Sequence, residues 1–220
     1  MKPAGIIVLF FFLWYGKQAY SQPNSFVPEW SYGVNGGLTF SKVGFNSSVS
    51  VPQELLRQFS GGISVRYISE KQFGIYGELN YSLRGWKERT DTIYLNRYSR
   101  SLAYLELPVM THIYFNLDKR VRLIINVGPQ VGYSIGETEI EREINDPDRE
   151  NSYYDIPVQQ SFDYGLKGAV GLEFRTRIGS FILDGRYYFG LSDVFNSTKS
   201  DLFQASPNKV VGVNLTYFFR

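Results

Sequence analysis

Val210-Val211-Gly212-Val213-Asn214-Leu215-Thr216-Tyr217-Phe218-Phe219 lies one residue short of the end of a 220-residue chain. Val211, Val213, Leu215, Tyr217 and Phe219 make one face of it apolar. Val210, Gly212, Asn214, Thr216 and Phe218 make the other face mostly small or polar, and aromatics gather at the end. Period-two alternation is the signature of a strand with two unlike faces. In a soluble sandwich the apolar side would be hidden in a core. Here the pattern recurs in segment after segment, with Gly, Ser, Asn and charges on the opposite face. That fits a barrel turned inside out, apolar toward lipid and polar toward its own lumen.

Seven further segments carry the pattern: Ser31 to Ser41, Phe59 to Ser69, Phe73 to Trp86, Leu102 to Phe115, Val121 to Ile135, Phe162 to Arg175 and Ser180 to Gly190. Each reaches the roughly 9 to 11 residues that a tilted strand needs to cross a bilayer. Three connections are short, around Lys71, around Asp118 and around Arg177. The other four are long: Lys42 to Gln58, Lys87 to Ser101, Gly136 to Ser161 and Leu191 to Lys209. Short and long connections alternate strictly, as in barrels with periplasmic turns and extracellular loops. The expected fold is therefore an all-β, eight-stranded, antiparallel, up-and-down transmembrane barrel with both termini periplasmic. A soluble ligand-binding barrel need not show this asymmetry.

The composition agrees. Tyr and Phe, seventeen of each, favour strands and membrane interfaces. Trp30, Phe40, Tyr67, Phe73, Phe115, Tyr133, Phe181, Phe189, Tyr217 and Phe219 fall at strand ends, where two interfacial girdles would form. Cysteine is absent, which excludes disulfides, thiolate metal sites and a thiol nucleophile. A net charge of +2 with mixed signs points away from nucleic acid.

The first 21 residues read as a secretory signal. Lys2 precedes an apolar run from Ile6 to Tyr15, and Ala19 and Ser21 occupy the positions that a signal peptidase reads. As a helix that run spans roughly 15 Å, about half the hydrocarbon thickness, too short for an anchor. The mature domain is expected over residues 22–220, in the outer membrane among lipids and lipopolysaccharide.

Parity assigns the interior. Arg66, Arg84, Arg122, Lys167, Arg175 and Arg186 should point inward, with Glu78, Glu106, Glu173, Asp184 and the single histidine, His112. An eight-stranded barrel is just wide enough for side chains to fill. Charges there must be paired, because an isolated buried charge costs several kcal/mol. A salt-bridged plug is expected; with six cations against four anions, the competing reading is a narrow, slightly anion-selective pore. Glu106 and His112, six residues apart on one strand, lie roughly 20 Å from each other and make no catalytic dyad. His112 is expected to be structural rather than part of a lipid-modifying enzyme.

The third long connection is acidic, with Glu137, Glu139, Glu141, Glu143, Asp146, Asp148, Glu150 and Asp155. Glu137, Glu139, Glu141 and Glu143 alternate with Thr138, Ile140, Arg142 and Ile144, a pattern that allows a hairpin projecting beyond the membrane. A solvated loop is the default expectation, divalent-cation or lipopolysaccharide-associated binding being the alternative. Asp146-Pro147-Asp148 lacks calcium-loop spacing. Asn46-Ser47-Ser48 and Asn196-Ser197-Thr198 match a glycosylation sequon of no consequence in a bacterial protein. Phosphate-cradling glycine loops and a nucleophile elbow are missing, and no cofactor is expected.

Tyr104-Leu105-Glu106-Leu107-Pro108-Val109 resembles the Tyr-Leu-Glu-Ile-Pro segment of the PorT-like outer-membrane β-barrel family of Bacteroidota. Gly168-Ala169-Val170-Gly171-Leu172-Glu173 and Arg186-Tyr187-Tyr188-Phe189-Gly190-Leu191-Ser192-Asp193-Val194 look like that family's later strands. The resemblance implies a "porin family protein", a part in secretion or envelope assembly, and insertion by the barrel-assembly machinery reading Tyr217 and Phe219.

Overall fold

The computed structural model describes residues 26–43, 53–88, 97–143, 160–193 and 207–220. Their strands are β1 (Glu29–Val43), β2 (Gln53–Glu54), β3 (Leu56–Glu70), β4 (Phe73–Glu88), β5 (Arg97–Asn116), β6 (Val121–Glu143), β7 (Phe162–Arg175), β8 (Gly179–Asp193) and β9 (Pro207–Phe219). All pairings are antiparallel. Each long strand pairs with its neighbours in sequence, β1 pairs with β9, and β4 with β5 as well as β3. The ring therefore closes with eight long strands, and β2 is a two-residue patch on β4 at Gln53↔Glu88 and Glu54↔Lys87. Closure leaves no open edge through the membrane-spanning length, the condition for a sheet in lipid.

All eight expected strands form, and Phe162–Arg175 has the expected bounds. The short connections are tight. Lys71 and Gln72 alone join β3 to β4, Gln72 adopting a positive φ of 78°. At the next turn Leu117 and Asp118 both donate from the main chain to Val121 O. At the third, the Thr176 amide and hydroxyl both reach Gly179 O.

The other end differs from expectation. Lys87, Glu88, Arg97 to Ser101 and Gly136 to Glu143, all assigned to loops, are strand. At 23 residues β6 is roughly 75 Å long, far more than a bilayer crossing needs. Its outer part pairs with Arg97 to Ala103, bringing Glu139 opposite Arg100 and Glu143 opposite Arg97. Opposite charges across a strand pair stabilise the ladder, so an acidic run extends into a hairpin once its partner is basic. Lys87 and Glu141 add an ion pair at 3.5 Å. The remaining acids of that connection, Asp146, Asp148, Glu150 and Asp155, lie outside the described residues, as do both sequons and the Ala19–Ser21 processing site.

Faces follow parity along the membrane-spanning lengths; above them Tyr98 to Leu102 are buried in succession, beside register shifts at Ser99/Arg100 and Ala103/Tyr104. Leu79, Leu105, Leu107, Val109, Val127, Val170, Leu183, Val213 and Leu215 are exposed on the outside. At the short-turn end Trp30 packs tilted against Tyr67 (ring centroids 4.6 Å) and Phe181 stacks on Tyr217 (4.8 Å), forming an aromatic girdle.

Candidate functional site

Among the described residues, charge is concentrated and shielded in the interior. It is built by taper. Ser31, Gly33, Asn35, Gly37, Thr39 and Ser41 are the inward side chains of β1, so that wall is thin. The space it leaves is filled by long side chains from β3, β4, β7 and β8, the large-against-small filling of a small barrel.

Three ion-pair clusters occupy it. Near the short turns, Glu173 is fully buried and accepts from Arg66 at 2.8 Å and from Arg122 at 3.4 Å. The Arg66 guanidinium also lies 4.5 Å from the Phe218 ring and that of Arg122 lies 4.3 Å from Tyr114. In the middle, Glu78 accepts from Arg186 at 2.8 Å, from Lys167 at 3.4 Å and from Asn80 at 2.8 Å, and Asp184 pairs with Arg186. Toward the long connections, Arg84 pairs with Glu106 at 2.7 Å and with Asp163 at 2.5 Å. Its guanidinium sits between the rings of Tyr104 and Tyr188, at 4.5 and 4.6 Å, and the Tyr188 hydroxyl donates to Asp163 at 2.8 Å. Such charge-assisted bonds are the strong ones, and each carboxylate here has more than one donor.

The clusters hold five cations (Arg66, Arg84, Arg122, Lys167, Arg186) and five anions (Glu78, Glu106, Asp163, Glu173, Asp184). The expected excess of two cations is thus corrected. Asp163, two positions before Gly165 and four before Lys167 on the same face, was missed, although parity alone would have put it inside. Arg175 stands apart from the clusters at the short-turn mouth, donating to Lys119 O at 2.6 Å. Its strand has run out of barrel there, so inward parity aims it at the opening.

The interior is not only ionic. Ile68, Tyr76, Met110, Tyr114, Ile124, Ile182 and Phe218 form a buried apolar cluster near the short turns. Read from the sequence, these residues merely interrupt the polar face. Together they make a hydrophobic stopper beside the Arg66–Glu173 pair, with the Tyr76 hydroxyl satisfied by Ser64 and Thr216 at 3.3 Å each.

His112 is fully buried, its Nδ1 2.7 Å from Asn126 Oδ1 and its ring between Tyr76 and Tyr114. Glu106 bonds to Arg84 in another cluster, so the two candidate catalysts share no contact in these networks. Among the described residues no group of His, Cys, Asp or Glu could hold a metal ion. Between the middle and upper clusters lies a cavity of about 30 Å³, lined by Glu106, Gln130, Lys167, Arg186 and Tyr188 among others. That is room for one or two water molecules, and the buried Gln130 amide borders it.

A ring of eight antiparallel strands with an apolar exterior and an ion-paired interior is the architecture that the family model "Outer membrane protein beta-barrel domain" describes, and this model matches residues 18–196. The chain belongs to that family. Its location is accordingly the bacterial outer membrane. The family match stops before β9, the strand that closes the ring on β1.

Three solved structures similar to this family member are barrels of comparable length. Ail, the attachment invasion locus protein of Yersinia pestis, solved with the heparin analogue sucrose octasulfate, is 14% identical, covering 87% of this chain and 99% of its own, with a TM-score of 0.42. OprG from Pseudomonas aeruginosa is 10% identical over 86% and 96%, with a TM-score of 0.48. Neisserial surface protein A is 10% identical over 87% and 99%, with a TM-score of 0.46. No curated protein matches the chain.

Proposed function

We propose that this protein is a plugged, non-enzymatic outer-membrane barrel that acts through contacts made at its long-connection end, as a surface or envelope component of the PorT-like kind. The observation that carries this reading is the filled interior. Ion pairs reach from one wall to the opposite wall, an apolar stopper lies beside one of them, and the internal cavity is about 30 Å³. Equal numbers of opposite charges give an ion of either sign no net attraction along the axis. The β5–β6 hairpin, standing well beyond a bilayer's thickness, supplies a rigid platform for contact with proteins or lipopolysaccharide.

In this reading residues 1–21 are removed on export, and the three short turns and both ends of the mature chain face the periplasm. Phe26 and Arg220 lie at the short-turn end, in keeping with that orientation. The assembly machinery reads Tyr217 and Phe219 on β9, and the secretion- or envelope-complex role follows the PorT-like resemblance.

Single-channel recording of the refolded protein in a planar bilayer tests the plug. The expected trace is a flat baseline at all voltages that the bilayer tolerates. A steady unitary conductance would instead establish the passive-pore reading.

A further inference from the structure

Two groups of arginines in this barrel differ in their partners. Arg66, Arg84, Arg122 and Arg186, inside, are all bonded to carboxylates. Arg120, Arg175, Arg177 and Arg220, at the short-turn mouth, pair with no carboxylate among the described residues. Two of them are held instead by main-chain carbonyls: Arg175 donates through Nη2 to Lys119 O at 2.6 Å, and Arg220 through Nη1 to Arg177 O at 2.8 Å. Each bond uses one N–H and leaves further N–H groups on both guanidiniums. The Arg175 Nε is buried and has no hydrogen-bond partner.

All four line a bowl of about 920 Å³ with Arg66 and Phe218 also in its wall, together with the carboxylates of Glu29 and Asp118. That volume is in the range of small-molecule sites, roughly 300 to 1,000 Å³. With Arg66 given to Glu173, four guanidiniums face two side-chain carboxylates and the α-carboxylate of Arg220 across it. A concave surface with an excess of one sign concentrates ions of the other. Several planar forks arriving from two turns and the chain end suit a compact group with many acceptor oxygens, and guanidinium matches phosphate bidentately. The flanking acids limit the basic patch, so a compact group fits better than an extended polyanion.

We propose that the short-turn mouth is a binding site for a phosphate-bearing anion, gripped by Arg120, Arg175 and Arg177 above the Arg66–Glu173 floor. The phosphate belongs either to a soluble molecule or to the headgroup of an anionic phospholipid in the adjoining leaflet.

The test follows the arginine Nε–Hε signals by NMR in the full mature chain. In a neutral maltoside micelle at low salt, inorganic pyrophosphate is titrated. In lipid nanodiscs, phosphatidylcholine alone is compared with a phosphatidylcholine–phosphatidylglycerol mixture. Saturable shifts of the Arg175 and Arg177 signals with pyrophosphate support a soluble ligand. Shifts seen only in the phosphatidylglycerol discs support the lipid source.

In either arm Arg177→Gln should weaken the effect about ten-fold or more, the loss expected for one charge-assisted bond. Arg175→Lys, which keeps the charge and loses the fork, should weaken it with heat-modifiable gel migration unchanged. No saturable shift in both arms, or equal titration by wild type and the Arg177→Gln variant, overturns the proposal.

Discussion

Arg66 and Glu173 meet at 2.8 Å although β3 and β7 stand on opposite walls of the eight-strand ring, four steps apart in either direction. Arg186 on β8 and Glu78 on β4 do the same, also four steps apart. Each pair is a strut across the full width of the barrel. Struts of this kind fix the cross-section and close it at once, which links packing directly to the absence of a wide channel.

Removing both ends of a strut should therefore cost less than the two single removals added together. Glu78→Gln leaves Arg186 and Lys167 facing a neutral group, and breaking a buried pair in this way costs on the order of 3–5 kcal/mol. Arg186→Met alone leaves Glu78 with Lys167 and frees Asp184. In the double variant Glu78→Leu/Arg186→Met the loss should fall well short of the two single losses added together. Urea unfolding of vesicle-embedded protein reads this directly, and strict additivity would show that the two residues do not act as a unit.

Val213 and Ile140 are equally exposed, 53% each, yet they should respond oppositely to charge. Val213 lies in the apolar belt of β9, between the aromatic ends of the barrel. Ile140 lies on β6 seven residues past the girdle residue Tyr133, roughly 23 Å further along the strand and clear of the bilayer. Val213→Arg should cost about 2–4 kcal/mol, the value for arginine near the midplane, and Ile140→Arg close to nothing. Equal losses in vesicle unfolding would mean that one solvent surrounds both residues.

These contrasts separate what the chain reveals before folding from what it does not. The lipid face of β9 is readable from five alternating residues, because period two is local. Which residues meet across the lumen is not local. The Arg66–Glu173 contact depends on how the ring closes and how far its strands are staggered, neither of which is encoded in any single strand. The inward apolar residues Tyr76, Met110, Ile182 and Phe218 belong to four strands, and only closure turns them into one stopper. The hairpin extension was legible only in part. The alternation over Glu137 to Glu143 allows a hairpin, but its partners Arg97 and Arg100 are fixed only by the register of β5 on β6.

His112 offers a test of the non-enzymatic reading. Its ring is enclosed inside the barrel and its Nδ1 is committed to Asn126, so it cannot reach a lipid on the outer wall. His112→Ala should leave the lipid A mass spectrum of overexpressing cells identical to that of wild type. It should also destabilise the barrel by about 1–3 kcal/mol, since the Asn126 amide loses its partner. A change in lipid A that depends on His112 would reverse the functional conclusion.

The seam between β3 and β4 provides a last prediction, this one local. Their pairing runs from Phe73↔Glu70 to Ser82↔Ser60, and on that edge β4 regains a strand partner only at Lys87, opposite Glu54 of β2. In the interval β1 reaches across from inside the barrel. The Thr39 hydroxyl donates to Leu83 O at 3.1 Å, and the Gly85 amide donates to Ser41 Oγ at 2.9 Å. Gly85 is required there, since a Cβ would be driven onto Arg100 O. Two side chains thus replace a stretch of ladder, and without them these main-chain groups would be buried and unpaired. Ser41→Ala should cost about 1–3 kcal/mol and raise hydrogen exchange at the Gly85 amide selectively, with amides at the β4–β5 seam unchanged. Unaltered exchange at Gly85 would mean that the seam is held by something other than β1.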